Sequence, residues 1–349
     1  MQLEQVYGRF GNGYWMEKYK PEEQKLVYSD KYYMFRDRWG RKLSYNMYWN
    51  SNHATFIAGI SRWGKTVTTN EIVQGEINCG KKIIYDNFKG EPLPFDSHRI
   101  DANKVQYDIS LLSINDWINL THLEKGPLFD LRRTIKHMIQ YEEELTFENL
   151  EKEIEKQIKS KMNVASIMNA LYDLQDEDLL SEKGFNILEL MNKHQVVEID
   201  CSKNPEMRLT LIPHICHIIM MNKQNGVIPR NDEIVMAFDE IADPEYGVGN
   251  TTGAKTIMAP VKRIFTGGGY FHVYGIANTQ LPQDTNSQII GNCTDRIIHR
   301  LTSDNAIKKV SNTVNVQFSY LKNILPYLQK GECLFLRGEL QQVRKVIKS

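Results

Sequence analysis

Residues 54–66 have the sequence ATFIAGISRWGKT, and this stretch decides the fold. It begins as a short apolar run of the β type and ends in Gly59 to Thr66, which satisfies the pattern GxxxxGKS/T. Residues 66–78 then have helical spacing, and residues 81–86, KKIIYD, are typical of a second strand. A strand, a glycine-rich loop, a helix and a strand in this order predict an α/β fold with a parallel sheet and helices on both of its faces.

The glycine-rich loop has the composition of a phosphate-binding loop. Gly59 and Gly64 allow the backbone to curl so that successive N–H groups point inward, and the N-terminus of the following helix adds its positive end. We expect Lys65 to reach the β- and γ-phosphates of ATP as a catalytic residue, and the hydroxyl of Thr66 to ligate Mg²⁺. The expected nucleotide-binding residues are Gly59, Ile60, Ser61, Arg62, Trp63, Gly64, Lys65, Thr66 and Val67.

Two residues of this loop depart from the usual small side chains. Arg62 and Trp63 are bulky, and we expect Trp63 either to shield the site or to face a neighbouring subunit. The competing interpretation of the whole stretch is a strand-to-helix turn that binds nothing.

A second apolar strand, EIVMAFDE at residues 233–240, ends in Asp239 and Glu240. A strand that is apolar on both faces belongs in the middle of a parallel sheet, and ligands lie at the carboxyl ends of such strands. We therefore expect Asp239 to hold Mg²⁺ through water and Glu240 to polarise the attacking water as the catalytic carboxylate. The alternative is a strand followed by a helix cap, because acidic residues favour helix starts.

A third apolar strand, at residues 271–280, ends in Asn278, Thr279 and Gln280. We expect the polar amide of Gln280 to contact the γ-phosphate or its water and to report hydrolysis to the rest of the domain. The alternative is an ordinary strand end.

Three arginines are candidates for completing the site of a neighbouring subunit: Arg263, Arg296 and Arg300. An arginine in that place stabilises the charge that develops during phosphoryl transfer. For each of them the alternative is an ion-pairing residue at the surface.

The rest of the chain predicts further elements around this unit. Residues 1–50 alternate in character and are rich in aromatic residues, which indicates a small β-rich module with one face packed on the core, or alternatively a platform for base stacking. Residues 114–191 are expected to be an amphipathic helical insertion, with continuous helical spacing over residues 147–174. We expect its charged side chains to face solvent, or alternatively to contact a partner. Further strands are expected at 194–200 and in a closing hairpin around residue 338.

Composition restricts the classes of partner and compartment. The 43 basic and 43 acidic side chains cancel, so any contact with DNA needs a local basic patch such as a pore lining. Five scattered cysteines without a CxxC pair favour a reduced, cytoplasmic setting, or the host cytoplasm for a viral protein. The chain start has no signal-peptide pattern, and the apolar stretch 209–221 is too short to cross a bilayer, so we expect a buried helix there and no membrane anchor.

The order of these motifs resembles the FtsK/HerA superfamily of ring-forming DNA pumps. The similar segments are residues 40–43 (GRKL) with 52–59 (NHATFIAG), 86–91 (DNFKGE), 239–240 (DE), 278–282 (NTQLP), 292–297 (NCTDRI) and 328–333 (LQKGEC). Together they span about residues 38–340. The resemblance departs from the family at Trp63 and at Asn87-Phe88, where a proline-containing pair is usual.

The resemblance implies a RecA-like P-loop ATPase domain over 51–349, ATP and Mg²⁺ as cofactors, and a homo-oligomeric, hexameric ring with double-stranded DNA in its channel. It also implies a nuclease or a viral capsid or portal component as partner. Lys255, Lys262, Lys308 and Lys309 are candidates for the channel lining.

Three functions follow from this reading of the sequence. The first is an ATP-driven DNA translocase that packages genomes or processes DNA ends. The second is a conjugation- or secretion-type coupling ATPase that moves protein or a protein–DNA complex. The third is a nucleotide-gated assembly scaffold, which the presence of both Asp239 and Glu240 argues against.

Overall fold

The structure is a computed structural model that describes residues 54–337, apart from residues 122, 142, 182, 242–251 and 315, and also residues 33–36, 42–44 and 342–348.

The strands form one large sheet and one small one. They are β1 (Tyr33–Arg36), β2 (Lys42–Ser44), β3 (Thr55–Ala58), β4 (Lys82–Asn87), β5 (His98–Asp101), β6 (Tyr107–Asp108), β7 (Leu180–Ser181), β8 (Val196–Asp200), β9 (Ile234–Phe238), β10 (Val273–Thr279), β11 (Asp295–Ile298), β12 (Glu332–Arg337) and β13 (Gln342–Lys348). The large sheet has eleven strands in the order β2-β1-β13-β12-β11-β3-β10-β9-β4-β8-β5. All neighbours from β11 to β5 are parallel, and the remaining pairs are antiparallel.

Helices cover both faces of this sheet. They are α1 (Lys65–Asn78), α2 (Ile114–Thr121), α3 (Lys125–Gln140), α4 (Phe147–Gln157), α5 (Lys161–Asp176), α6 (Ile187–Lys193), α7 (Pro205–Gln224), α8 (Thr252–Gly267), α9 (Ser287–Asn292), α10 (Asp304–Val314) and α11 (Phe318–Lys322). Side chains of neighbouring residues in a strand point to opposite faces, so Ile57 of β3 packs with Ile72 of α1 while Phe56 belongs to the cluster that contains Leu211 of α7. The predicted parallel sheet with helices on both faces is confirmed.

The chain leaves the large sheet after β5 and returns to it at β8, and the intervening residues 114–193 are mainly helical. The strands β6 and β7 pair in parallel across it and bring its two ends together. The helical pattern predicted through 147–174 is interrupted, since α4 ends at Gln157 and α5 begins at Lys161. The side chain of Ser160 accepts a hydrogen bond from the N–H of Asn163, which caps the second helix and explains the break.

The apolar stretch 209–221 lies within the buried helix α7, as predicted. None of the described helices is long and apolar enough to cross a membrane. All five cysteines are free thiols, and four of them are buried.

The chain ends meet at one edge of the large sheet. β12 and β13 pair as the expected antiparallel hairpin, whose turn lies outside the described residues. β1 pairs with β2 and also with β13, so the described part of the N-terminal segment extends the main sheet. The rest of the β-rich module predicted over residues 1–50, with its aromatic side chains, lies outside the described part of the chain. The division into two domains at residue 50 stays a prediction.

Candidate functional site

The glycine-rich loop connects β3 to α1 at the carboxyl edge of the sheet. Gly64 caps the helix with a φ of 102°, a conformation that costs a side-chain-bearing residue energy and that glycine adopts freely. Gly59 is required for a different reason, because a Cβ atom there would lie 2.6 Å from the Cβ of His299. Arg62 also has a positive φ, 65°, so the loop alternates conformations in the way that turns successive N–H groups toward one point.

The loop is fixed to its own chain on its outer side. The N–H of Ile60 donates to the carbonyl of Arg300 at 2.9 Å, and the guanidinium of Arg300 lies over the ring of Trp63 at 4.9 Å. The indole Nε1 of Trp63 donates to the carbonyl of Leu328 at 3.2 Å. Trp63 is thus half-buried against residues of its own chain.

The Lys65 side chain turns back over the loop. Its Nζ donates to the carbonyl of Ile60 at 3.0 Å, and the residue is almost fully buried. Burial lowers the pKa of Lys65 to about 8; the Glu240 and Asp239 carboxylates oppose this effect, and the Lys89 ammonium adds to it. An ammonium placed this way gains from any anion that enters the loop.

Next along the helix, Thr66 is half-buried and Val67 is exposed, so both face the open side of the loop. Thr68 points inward instead, and its hydroxyl shares a hydrogen bond of 3.1 Å with Nε2 of His299. His299 therefore packs against the glycine-rich loop and the first turn of α1.

Asp239 and Glu240 follow β9, and both are buried. Oδ1 of Asp239 accepts hydrogen bonds from Nζ of Lys89 and from Nδ2 of Asn278, each at 3.0 Å. Oε1 of Glu240 accepts from the Thr279 hydroxyl and from the backbone N–H of Gln280, each at 2.8 Å. The second oxygen of Glu240, Oε2, is buried and has no hydrogen-bond partner among the described residues.

A buried arginine fixes the backbone of these acids. Arg208 of α7 is fully buried and pairs with Asp86 at the end of β4, with Nη2 2.7 Å from Oδ2. The same Nη2 donates to the carbonyls of Asp239 at 2.6 Å and of Glu240 at 3.2 Å. Glu240 has a φ of 60°, a left-handed conformation that costs about 1 kcal/mol, and these hydrogen bonds help to hold it.

These groups meet because β3, β10 and β9 are adjacent and parallel. Their carboxyl ends therefore lie at one edge, with the glycine-rich loop after β3, Gln280 after β10 and the two acids after β9. The Glu240 and Asp239 carboxylates both act on the pKa of Lys65, so these three side chains lie close together at this edge.

Comparisons with known proteins place this arrangement among solved folds. No family model matches the sequence, and no curated protein matches it. VirB4 of Thermoanaerobacter pseudethanolicus superposes with a TM-score of 0.67 at 12% identity, covering 93% of this chain and 98% of that chain. The bacterial conjugative coupling protein TrwB, in complex with ADP and Mg²⁺, gives a TM-score of 0.61 at 12% identity, with coverage of 99% and 93%.

The fold is that of the FtsK/HerA-type P-loop ATPases. The sequence resemblance predicted this fold, and the structure confirms it. At 12% identity the similarity concerns the fold alone.

In this FtsK/HerA-type fold the donor set fits a nucleoside triphosphate with Mg²⁺. The loop offers N–H groups and the Lys65 ammonium to phosphate, and Thr66 and Asp239 offer the oxygen ligands that Mg²⁺ prefers. Oε2 of Glu240 is a buried acceptor that receives no hydrogen bond from the described part of the chain, and a water molecule at the reacting phosphate would supply one.

The three arginines proposed to act on a neighbouring subunit have different places. Arg296 is buried on β11 and donates to the carbonyls of Ile290 and Gly291, each at 3.1 Å, at the end of α9. Its guanidinium is therefore engaged within its own chain, and its role at a neighbouring site stays a prediction. Arg263 is exposed on α8, and Arg300 stacks on Trp63 beside the loop.

Sequence reasoning missed two residues of the site, and the role predicted for the side-chain amide of Gln280 stays a prediction. Arg208 and His299 contact the acids and the loop across long separations in sequence, which no local pattern reports. The available signal for Arg208 was a single arginine inside the apolar pattern of α7. At Gln280 it is the backbone N–H, together with the Thr279 hydroxyl, that contacts Glu240.

Proposed function

We propose that this chain is an ATP-hydrolysing P-loop motor that translocates double-stranded DNA as a ring of identical subunits. The observation that carries the ATPase part is the carboxylate of Glu240. One of its oxygens accepts from two donors, and the other is buried and has no partner among the residues that the structure describes. The carboxylate also acts on the pKa of Lys65 in the glycine-rich loop. A general base for water attack needs this combination of fixed orientation and free acceptor.

Each residue of the site has its own role in hydrolysis. The loop N–H groups and Lys65 bind the phosphates, and Lys65 exchanges its hydrogen bond to the Ile60 carbonyl for one to phosphate. Thr66 and Asp239 would hold Mg²⁺, which would supply positive charge to offset the negative charge that develops on the phosphates. Glu240 accepts a proton at Oε2 from the attacking water. Thr279 and Gln280, which hold Oε1, link this proton transfer to β10.

The proposal includes several partners, which we infer from the similarity of fold. They are a hexameric ring, duplex DNA in its channel, and a nuclease or a viral capsid or portal component. Among the candidate channel lysines, Lys308 is exposed, and Lys309 donates to the Ser287 hydroxyl at 2.8 Å. Because the net charge of the chain is zero, such a channel has to concentrate its positive charge locally.

Steady-state ATP hydrolysis with and without linear duplex DNA tests the proposal. We expect DNA to stimulate turnover several-fold, and Lys65→Ala and Glu240→Gln to abolish it. The matched controls are Lys104→Ala and Glu155→Gln, two exposed residues in the turn after β5 and on α4. Turnover that survives Glu240→Gln would contradict the assigned base, and a wild type that neither binds nor hydrolyses ATP would overturn the proposal.

A second candidate is the coupling ATPase that moves protein or a protein–DNA complex. The observation in its favour is that the similar structures include a conjugative coupling protein and VirB4. Hydrolysis that ignores duplex DNA would favour this function. Nucleotide binding without turnover, at concentrations at which rings form, would instead leave the nucleotide-gated scaffold.

A further inference from the structure

A second lysine, Lys89, reaches the same site from the turn after β4. Its Nζ lies 3.0 Å from Oδ1 of Asp239, and its own side chain is about one quarter exposed. Gly90, the next residue, has a φ of 66°, and a Cβ atom there would collide with the Ser202 side chain. The turn therefore requires glycine at position 90, and it places the flexible Lys89 stem at the rim of the site.

The partner of Lys89 is the carboxylate assigned to the metal. Asp239 is buried, and a buried carboxylate needs a compensating charge, which Lys89 supplies in the nucleotide-free chain. A divalent cation that approaches Asp239 repels this ammonium. The two cations compete for the negative charge of one carboxylate, and this repulsion favours the departure of Lys89 as the divalent cation enters.

A displaced Lys89 would have a second anion nearby, the phosphate of the bound nucleotide. The Lys89 ammonium helps to lower the pKa of Lys65. The two ammonium groups therefore lie near each other, beside the glycine-rich loop. Lysine is a point charge on a stem with several rotatable bonds, which suits a change of partner better than a planar guanidinium does. Since the side chain is partly exposed, this movement requires no rearrangement of the core.

We propose that Lys89 is an exchangeable counter-ion: it neutralises Asp239 in the nucleotide-free chain and turns to the phosphate oxygens when the magnesium–triphosphate enters. Lys89 is then the second phosphate-binding lysine of the site. This inference rests on the proposed function, because it requires that the loop binds a nucleoside triphosphate.

The test combines Lys89→Met with Asp239→Asn in a double-mutant cycle, with Lys104→Met as the matched control. Methionine keeps the apolar stem and removes the charge. The first measurement is the thermal unfolding midpoint without nucleotide or divalent cation. We expect Lys89→Met to lower it by about 2 °C in the wild-type background and to have little effect beside Asp239→Asn, because the ion pair is then already absent.

The second measurement is the equilibrium dissociation constant of a fluorescent non-hydrolysable ATP analogue with Mg²⁺. We expect Lys89→Met to weaken binding about tenfold beside Asp239→Asn, since a charge-assisted hydrogen bond to phosphate is lost there. In the wild-type background the loss should be smaller, because the variant no longer has to break the ion pair to Asp239 when the nucleotide binds. The Lys104→Met control should match the wild type in both measurements.

The outcomes separate this inference from the proposed function. A loss of affinity that disappears in the Asp239→Asn background would show Lys89 to be a fixed partner of Asp239 and would overturn the exchange. Unchanged affinity in both backgrounds would overturn the phosphate role. If the wild type fails to bind the analogue, the proposed function fails and this inference fails with it.

Discussion

At the scale of the residue, Lys65 connects the local geometry to a measurable dependence on pH. Burial lowers the pKa of its ammonium to about 8, from the ordinary lysine value of 10.5. The folded state therefore binds fewer protons than the unfolded state between these two values. In that window the Lys65 contribution makes stability rise with pH, because the cost of burying the charged form is removed as Lys65 deprotonates.

Nucleotide binding should reverse this effect on Lys65. Phosphate oxygens favour the ammonium, so binding raises the pKa of Lys65 and the complex takes up a proton. At pH 8 we expect an uptake of roughly half a proton per site, because about half of the free protein is deprotonated at its pKa. Titration calorimetry in buffers of different ionisation enthalpy measures this uptake.

Lys65→Arg is the control for that measurement. A guanidinium stays protonated throughout this pH range, so the variant should bind nucleotide without the proton uptake assigned to Lys65. An equal uptake in the variant would assign the proton to another group.

Local sequence patterns predict the residues that lie in the motifs themselves. Lys65 and Thr66 follow from the loop pattern, and Asp239 and Glu240 follow from their place at the end of a buried strand. The free oxygen of Glu240 could not be predicted, because it depends on donors from β10 that are 39 and 40 residues away. Only the three-dimensional arrangement of the strands shows which acceptor is left over.

At the scale of the element, α7 is an apolar helix that carries one buried charge into the site. Replacing Arg208 by Met leaves Asp86 buried without its partner, which should lower the free energy of unfolding by about 3–5 kcal/mol. Replacing both, as Asp86→Leu with Arg208→Met, removes the uncompensated charge and should recover most of that loss. Chemical denaturation measures both variants.

The double variant also separates stability from function. It lacks the donor to the carbonyls of Asp239 and Glu240, so ATP turnover should stay at least tenfold below wild type although the fold is restored. Full turnover in a stable double variant would show that Arg208 is only a structural counter-ion. Arg133→Met, an exposed change on α3, is the matched control.

Helices and strands were predicted well because their periodicity is local, whereas their ends depend on particular caps. The strands around the site lie where the apolar runs were found. The break between α4 and α5 was missed, since Ile158 continues the apolar spacing and is buried as that spacing requires. Only the hydrogen bond from the Asn163 N–H to the Ser160 hydroxyl shows that a new helix begins.

At the scale of the whole molecule, three described arginines near the site are engaged within the chain. Arg208 is engaged with Asp86 and two carbonyls, Arg296 with two carbonyls, and Arg300 with Trp63. Arg62 is exposed on the glycine-rich loop, so a positive charge that acts only in the transition state would come either from Arg62 or from a neighbouring subunit. Arg263, exposed on α8, is the remaining candidate of the three.

Subunit mixing tests this arrangement. Arg263→Ala and Lys65→Ala should each be inactive alone, because every site then lacks either the arginine or the phosphate-binding lysine. A mixed ring contains interfaces at which an intact loop meets an intact Arg263, so mixing should restore up to about a quarter of wild-type ATP turnover at equal ratio. Arg132→Ala, an exposed change on α3, should keep full activity. If the mixture stays inactive while rings form, Arg263 does not act across the interface, and the site must obtain its charge from Arg62, from Lys89 or from residues outside the described part of the chain.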